Sequence, residues 1–408
     1  MLKHEVTNMN IHEYQAKKIL NQYGINIPKG GIAYTPAEAK RVAQKVSPKG
    51  PWMLKAQIQS GARATGKFKE KSAGKLGGIR YITGRKDIFE EAEKMLGATL
   101  VTKQTGEKGK SVSKIYVEEH MSVKQTFYTG LVIDRMVPCV TLLVADETAN
   151  IVDVVINEPE KFLRLNLNLN EKISSEQIKK IIAFLKIEPE YYKNLKNFIN
   201  GIYKAFIDLD ATMIEINPVG IDAKGNFFAL DSKISFDNNA LYRHKDIAQL
   251  HDDYEDEDRV LKASKYGFQY REFDDGSIGC IVNGEGIALS IRDMLFDGSE
   301  KMDCFLNVKG GVDKDKISAG IKIIMTNPKV EGILINILGG FLRCNLVADG
   351  IIAAASEVGL NVPLVVRFEG TNKDEAKSIL QNSNLPILMA DTVEEGVAKL
   401  LKAMEEGN

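Results

Sequence analysis

Long apolar runs, low-complexity tracts and net charge are all missing from this sequence. The 408 residues carry 54 basic and 55 acidic side chains, a formal net charge of -1, so no whole-chain electrostatic feature indicates a nucleic-acid partner. No apolar run approaches the roughly 18 residues that a membrane-spanning helix needs. The N-terminal residues lack the apolar core of a secretory signal. We therefore expect a cytoplasmic protein with no nucleic-acid or membrane partner.

Cysteine and histidine are scarce as well. The four cysteines, Cys139, Cys280, Cys304 and Cys344, are scattered without a CxxC pair, so neither a zinc site nor a disulfide framework is predicted. None of the five histidines lies in a nucleophile-like motif, and no Ser/His/Cys triad can be assembled. The sequence favours free, buried cysteines in a reducing compartment.

Two patterns of hydrophobicity divide the chain. From Ser277 onward, short runs that are apolar on both faces alternate with amphipathic stretches, which predicts a parallel sheet covered by helices in a flavodoxin-like or Rossmann-like domain. The first 250 residues mix helices with hairpin strands and predict a separate α+β unit. The acidic stretch 252–258 is interpreted as a solvated linker or helix start. The predicted domains are residues 9–251 and 259–408.

A glycine-bearing basic loop follows a predicted strand near residue 60. The segment GARATGKF (61–68) nearly matches the P-loop pattern, but Phe68 follows Lys67 and offers no hydroxyl to magnesium. A true P-loop is therefore not predicted. Such a loop still presents backbone N–H groups and cations to phosphate. On the loop alone, a flexible surface segment is the favoured interpretation.

The predicted hairpin around residue 220 carries the sharpest local group of polar residues. Glu215 and Asn217 are two residues apart and project from one face of a strand, and Asp231 on the returning strand can lie opposite them. Carboxylate and amide oxygens suit Mg²⁺, which usually keeps waters and nucleotide phosphates as its other ligands. Ordinary hairpin polarity explains the spacing equally well.

Two strand-to-helix turns of the second domain contain glycine. NGEGIAL begins at Asn283 and lacks the third glycine of a dinucleotide fingerprint, and Gly339-Gly340 precedes a later helix. Both turns are predicted at the carboxyl ends of parallel strands, where open α/β sheets bind ligands and helix starts attract phosphate. Close packing of chain and helix is the alternative reason for these glycines.

Taken together, these segments resemble the β subunits of succinate–CoA ligases over nearly the whole chain from Met9. The motifs that carry the resemblance are MNIHEYQAKKIL from Met9, LKAQ around Lys55, LVTKQTG from Leu100, IEINPVGI from Ile214, ALDSKISFDNNALYRH from Ala229, GCIVNGEG from Gly279, NILGGFLRCNLVADGI from Asn336 and VPLVVRFEGTN from Val362. The resemblance implies an N-terminal ATP-grasp domain and a C-terminal flavodoxin-like CoA-ligase domain. It also implies an α-subunit partner, in an αβ or α2β2 assembly, that carries the phosphorylated histidine and most of the CoA site.

The implied reaction is the reversible formation of succinyl-CoA from succinate, CoA and ATP or GTP. The family's nucleotide-binding positions correspond here to Lys55, Ala62, Arg63, Ala64, Glu118, Met121 and Thr126. The remaining implied roles fall on Glu215, which holds the phosphohistidine near the nucleotide, on the Mg²⁺ ligands Asn217 and Asp231, and on the substrate-side residues Asn283, Gly340, Phe341 and Leu342.

Departures from the family pattern leave alternatives open. Ala62 and Ala64 stand where the family has glycine, about ten extra residues follow, and Thr126 replaces a glutamate. A β carbon hinders close phosphate approach or a positive φ. A malate–CoA ligase β subunit and a degenerate, non-catalytic β-like subunit are the alternatives. The sequence decides neither the acid nor ATP against GTP.

Overall fold

The structure is a computed structural model that describes residues 8–134, 137, 139–146, 158–168, 173–253, 258–273, 275–296, 300–308, 311, 313–340 and 342–407. The chain divides into two compact units, unit 1 (Met1–Glu255) and unit 2 (Asp256–Asn408). The finer bounds of 9–251 and 259–408 stay predictions. Among the described residues, no helix combines the length and apolar character needed to cross a bilayer.

Antiparallel sheets make up the described β-structure of unit 1. Its strands are β1 (Met9–Asn10), β2 (Gly30–Ala33), β3 (Trp52–Ala56), β4 (Lys67–Phe68), β5 (Ile79–Ile82), β6 (Thr99–Val101), β7 (Lys110–Ser111), β8 (Ile115–Glu119), β9 (Gln125–Asp134), β10 (Cys139–Ala145), β11 (Phe162–Leu167), β12 (Ala211–Ile221), β13 (Phe227–Ala229) and β14 (Ser232–Phe236). The largest sheet has the order β1-β14-β12-β9-β10-β11, with β13 also paired to β12. Two smaller sheets have the orders β2-β8-β3-β5 and β4-β6-β7.

Helices cover these sheets, and their starts follow local capping chemistry. They are α1 (Glu13–Gln22), α2 (Pro36–Val46), α3 (Asp87–Met95), α4 (Ser175–Leu185), α5 (Tyr192–Asp208) and the short α6 (Lys245–Ala248). Before α2, the Thr35 side chain accepts a hydrogen bond from the Glu38 N–H at 3.2 Å, and Pro36 occupies the first turn. Before α1, the His12 N–H donates to the Gln15 side chain at 2.8 Å, which fixes the helix start beside the large sheet.

The segment from Ser60 to Gly78 contains short regular elements. A 3₁₀ turn spans Arg63–Thr65, and β4 pairs with β6. The Arg80 guanidinium, 2% exposed, ties the segment down by donating to the Ala73 carbonyl at 2.7 Å and to Glu91 at 2.6 Å. The extra residues are therefore built into the fold around one buried arginine.

Unit 2 is a six-stranded, mostly parallel sheet between helices. Its strands are β15 (Gln269–Glu272), β16 (Ile278–Val282), β17 (Met302–Asn307), β18 (Gly332–Gly339), β19 (Leu364–Gly370) and β20 (Ile387–Ala390). Its helices are α7 (Asp258–Lys265), α8 (Glu285–Phe296), α9 (Lys314–Met325), α10 (Cys344–Val358), α11 (Lys373–Gln381) and α12 (Val393–Gly407). The sheet order β15-β17-β16-β18-β19-β20 has one antiparallel edge strand, β15, and otherwise the 2-1-3-4-5 order of flavodoxin-like folds.

The apolar pattern explains this topology. All five residues of β16 are buried, as are all six of β17, because helices cover both faces of the sheet. The doubly covered parallel sheet predicted from residue 277 onward is confirmed.

We predict that Arg80→Met destabilises unit 1 by about 3 kcal/mol, because it removes the hydrogen bonds of a buried guanidinium to the Ala73 carbonyl and to Glu91. Arg41→Met is the matched control, since its side chain is 76% exposed and its ion pair with Glu38 spans 3.6 Å. Chemical denaturation of the full-length chain measures both. Equal losses for the two variants would show that Arg80 does not hold the segment.

Candidate functional site

Unit 1 contains a cavity of about 780 Å³, a size typical of small-molecule sites. Strand β3, the loop before the Arg63 turn, the end of β8 and the β12–β14 hairpin all contribute to its wall. The predicted nucleotide, metal and catalytic residues that line it are Lys55, Ala62, Arg63, Ala64, Glu118, Met121, Glu215, Asn217 and Asp231. Thr126 lies in β9 opposite Gly220 and is not among the lining residues, so its predicted nucleotide contact stays a prediction.

The β12–β14 hairpin brings Glu215, Asn217 and Asp231 to this wall, as their spacing predicts. An irregularity in the ladder between Ile216 and Val219 shifts the register against β9 at Asn217. Such bulges re-aim side chains. The Asn217 N–H donates to the Asp231 carbonyl at 3.2 Å, so the amide and the carboxylate come from directly opposed residues.

Two buried lysines converge at the base of the cavity. The Lys55 ammonium contacts Glu118 and lies 2.9 Å from Glu13. The Lys17 ammonium lies 2.8 Å from Glu13 and 2.5 Å from Glu118. Both ammonium groups also donate to the Leu230 carbonyl, at 2.6 Å from Lys55 and 2.7 Å from Lys17. Each carboxylate therefore bridges two cations.

The Arg63 guanidinium completes this charge cluster. Its Nη2 lies 2.7 Å from Glu13 and 2.6 Å from Asp231, and its Nη1 donates to the Ala56 carbonyl at 2.9 Å. The buried charge network thus consists of the buried cations Lys17, Lys55 and Arg63, the buried anions Glu13 and Glu118, and the partly exposed carboxylate of Asp231 at its edge. Three positive and three negative groups balance, so each buried charge has an opposite partner.

Neighbouring charges shift the pKa values of Glu13, Lys55 and Arg63 toward their ionised forms. Burial alone raises the pKa of Glu13, but Lys17, Lys55 and Arg63 outweigh burial and hold that pKa well below its ordinary value. Burial opposes the charge on Lys55, yet Glu118, Glu13 and Asp231 raise the pKa of its ammonium above the ordinary value. The cavity therefore presents permanent cations to an anionic ligand.

Glu215 is not a member of the buried charge network. Burial raises the pKa of its carboxyl above the ordinary value, while the nearby Lys233 partly offsets the effect and Asp231 adds to it. A carboxyl with a perturbed pKa that faces a cavity marks a functional position.

Sequence reasoning missed Glu13 and Lys17. They lie four residues apart on α1, beside the apolar Ala16, Ile19 and Leu20 of its buried face. A charged pair on the inward side of an amphipathic helix was the available signal. The Glu118 carboxylate is buried against the ammonium groups of Lys17 and Lys55.

A divalent cation fits the donors at the hairpin. An amide oxygen from Asn217 and a carboxylate from Asp231 are hard ligands of the kind that Mg²⁺ takes. Over the residues that the structure describes, no group of three or more His, Cys, Asp or Glu side chains is arranged to hold a metal. A cation here would therefore depend on ligands from a bound phosphate or from water.

In unit 2, the predicted substrate-side residues lie at the switch point of the sheet. Asn283 follows β16 and Gly340 follows β18. These two strands are neighbours in the sheet, and between them the chain switches from adding strands on one side to adding strands on the other. The Asn283 amide donates to the Leu338 carbonyl at 2.6 Å and accepts from the Leu338 N–H at 2.8 Å, so it clamps the two strand ends together. The Leu342 side chain is buried in the core, Phe341 lies outside the described residues, and α10 begins at Cys344.

Comparison with known proteins relates both units to described domains. An ATP-grasp domain family matches residues 10–221, and a CoA-ligase family matches residues 281–401. The chain is 42% identical to the "Succinate--CoA ligase [ADP-forming] subunit beta" of Paramagnetospirillum magneticum and 43% identical to that of Parvibaculum lavamentivorans. Each alignment covers 98% of this chain and all of the relative.

Among solved structures, the chain resembles an ATP citrate lyase from Methanothrix soehngenii with citrate and coenzyme A bound. The TM-score is 0.73 at 14% identity, over 97% of this chain and all of that one. At this identity the likeness concerns the fold. The predicted fold class, an ATP-grasp domain followed by a CoA-ligase domain, is confirmed.

We predict opposite effects from replacing two nearby alanines with glycine. Ala62 has φ +56°, a left-handed conformation that strains a residue with a β carbon, so Ala62→Gly should stabilise unit 1 by about 0.5 kcal/mol. Ala64 lies within the 3₁₀ turn, so Ala64→Gly should cost about 0.5 kcal/mol through added freedom of the unfolded chain. Denaturation midpoints measure both. Shifts of the same sign would refute the assigned backbone strain.

We also predict that Glu215→Gln raises the Tm by a few degrees at neutral pH. A raised folded-state pKa means that stability is complete below the unfolded pKa of about 4.3 and is lost as pH rises through the folded pKa. The gain should therefore vanish near pH 4. Melting curves across this range test it, with the exposed Glu90→Gln as control. A lower Tm for Glu215→Gln at neutral pH would contradict the assignment.

Proposed function

Because this chain belongs to the family of succinate–CoA ligase β subunits, we propose that it is the nucleotide-binding subunit of an ADP-forming succinate–CoA ligase. ATP, succinate and CoA would be converted reversibly to ADP, phosphate and succinyl-CoA through a histidine phosphorylated on a partner α subunit. The proposal rests on one observation: the same cavity is lined by Lys55, Arg63, Glu215, Asn217 and Asp231. We expect the complex to act in the cytoplasm.

The buried cations are the proposed phosphate ligands. Lys55 and Arg63 reach the cavity wall with their charges fixed, so they supply preorganised positive charge where phosphoryl transfer develops negative charge. Glu118 within β8 and Met121 just after it line the same pocket and are the proposed contacts for the nucleoside. The names of the relatives favour ATP over GTP as the nucleotide.

Asn217 and Asp231 are the proposed ligands of Mg²⁺. When bound, Mg²⁺ would offset charge on the nucleotide phosphates. Glu215, two residues before Asn217, is proposed to accept a hydrogen bond from the imidazole of the partner's phosphorylated histidine and so to orient its ring. Glu215 and the proposed metal ligand Asn217 belong to the same strand, β12, which supports this role.

Unit 2 is proposed to carry the substrate side. Asn283 and Gly340 lie where the parallel strands β16 and β18 end, the position at which sheets of this order bind ligands. At the start of α10 the Cys344 N–H donates to the Thr371 carbonyl at 3.0 Å and the Leu346 N–H to the Asn345 side chain at 3.1 Å, so the positive end of the helix dipole is the proposed attraction for a phosphoryl group. The clamp between Asn283 and Leu338 would keep the two loops at a fixed spacing.

The function is tested by co-purifying the chain with its α-subunit partner and incubating the complex with γ-labelled ATP and Mg²⁺. We expect acid-labile, base-stable label on the partner, because phosphohistidine has that chemistry. Succinate and malate are then compared for discharge of the label in the presence of CoA. A stable complex that takes no label from ATP or GTP would overturn the proposal in favour of a non-catalytic subunit.

Asn217→Ala and Asp231→Ala should each reduce labelling of the partner at least 100-fold, the scale on which one preorganised electrostatic group acts. The fold should persist, because both side chains line the cavity and lie outside the core clusters. Lys224→Ala, at the exposed tip of the same hairpin, is the matched control and should label normally. Normal labelling by either cavity variant at limiting Mg²⁺ would refute the metal site.

A further inference from the structure

Glu13 has no role among the residues implied by the family resemblance, yet it contacts every cation of the buried charge network. Its Oε1 lies 2.8 Å from Lys17 and 2.9 Å from Lys55, and its Oε2 lies 2.7 Å from Arg63. It also lines the cavity. One carboxylate thus fixes both of the cations proposed to meet the nucleotide phosphates.

Arg63 is shared between two carboxylates. The same nitrogen, Nη2, lies 2.7 Å from Glu13 and 2.6 Å from Asp231. Asp231 is a proposed metal ligand, and a carboxylate oxygen that accepts from a guanidinium is less available to a cation. Glu13 therefore competes with Asp231 for Arg63 in the nucleotide-free chain.

From this geometry we propose that Glu13 is a positioning residue of the nucleotide site, which holds Arg63 in the cavity and so frees Asp231 for a divalent cation. The inference rests on the proposed function, because it takes Asp231 as a metal ligand. When Asp231 turns to the metal, Arg63 keeps its bond to Glu13 and to the Ala56 carbonyl. The guanidinium then remains aligned for phosphate without moving through the pocket.

The position of Glu13 is itself rigid, as this role requires. Glu13 is the first residue of α1, and the preceding His12 places its Nε2 2.6 Å from Asp252. Asp252 also pairs with the Lys114 ammonium. In addition, the Gln15 side chain donates to the Leu250 carbonyl at 3.0 Å. These contacts anchor the start of α1 to the last described residues of unit 1.

The test is a titration of the nucleotide-free, full-length chain with Mn²⁺, with free Mn²⁺ read from its paramagnetic resonance signal. In Glu13→Gln, Arg63 loses its competing anion and pairs with Asp231 alone, so Mn²⁺ affinity should fall about tenfold, the scale of one charge-assisted hydrogen bond. In Arg63→Gln, Asp231 is released and Mn²⁺ affinity should rise. If Glu13 had a purely structural role, the two variants would not change Mn²⁺ affinity in opposite directions.

Two controls separate this effect from general electrostatics. Glu119→Gln removes the same charge from the same cavity, but its carboxylate accepts from the Lys29 N–H, so it should change Mn²⁺ affinity less than threefold. The double variant Glu13→Gln/Arg63→Gln should bind Mn²⁺ as Arg63→Gln does, because the effect of Glu13 passes through Arg63. Melting curves establish that each variant is folded.

The outcomes distinguish failure of the proposed metal site from failure of the role proposed for Glu13. If Asp231→Asn binds Mn²⁺ as the unmodified chain does, the metal site and this inference both fail. If Asp231→Asn loses Mn²⁺ but Glu13→Gln binds it normally, or the Glu13 effect persists in the double variant, the role of Glu13 fails and the metal site stands. Loss of Mn²⁺ in Glu13→Gln that disappears without Arg63 supports the inference.

Discussion

The pairing of Arg63 with both Glu13 and Asp231 is the contact on which the rest of the site depends. It links three remote parts of the chain: helix α1, the turn before β4 and the β12–β14 hairpin. Buried charges are costly unless each has a partner, and here three cations and three carboxylates satisfy one another. A network of this kind places fixed charges at a cavity without adding net charge. A ligand that brings both an anion and a metal cation can replace some of the ion pairs in this network, and the total charge stays balanced.

The parts of this account that follow from local pattern were predictable from the sequence. The two-residue spacing predicted that Glu215 and Asn217 lie on one face of a strand. Apolar runs such as Ile278–Val282 predicted a parallel sheet covered by helices on both faces. The resemblance to a ligase family then assigned roles that spacing alone left open. Lys55, Arg63, Asn217 and Asp231 do line one cavity.

What the sequence could not predict arises from contacts between distant segments. Glu13 and Lys17 read as polar positions of an amphipathic helix until the fold brings Lys55 and Glu118 against them, 42 and 101 residues away. The segment after Ser60 has the composition of a surface loop, but the buried Arg80 gives it a place in the fold. The deciding partners of Glu13 and Lys17 are remote in sequence, and β4 of the segment after Ser60 pairs with the remote β6.

The central claim is that the cavity of unit 1 holds a metal-bound nucleotide by taking partners from the buried charge network. A crystal structure of the full-length chain with Mg²⁺ and ADP tests it most directly. The account predicts phosphates against Lys55 and Arg63, the metal on Asn217 and Asp231, and Arg63 still bonded to Glu13 but separated from Asp231. Nucleotide bound elsewhere, or an Arg63–Asp231 pair that stays at 2.6 Å beside bound nucleotide, would contradict it.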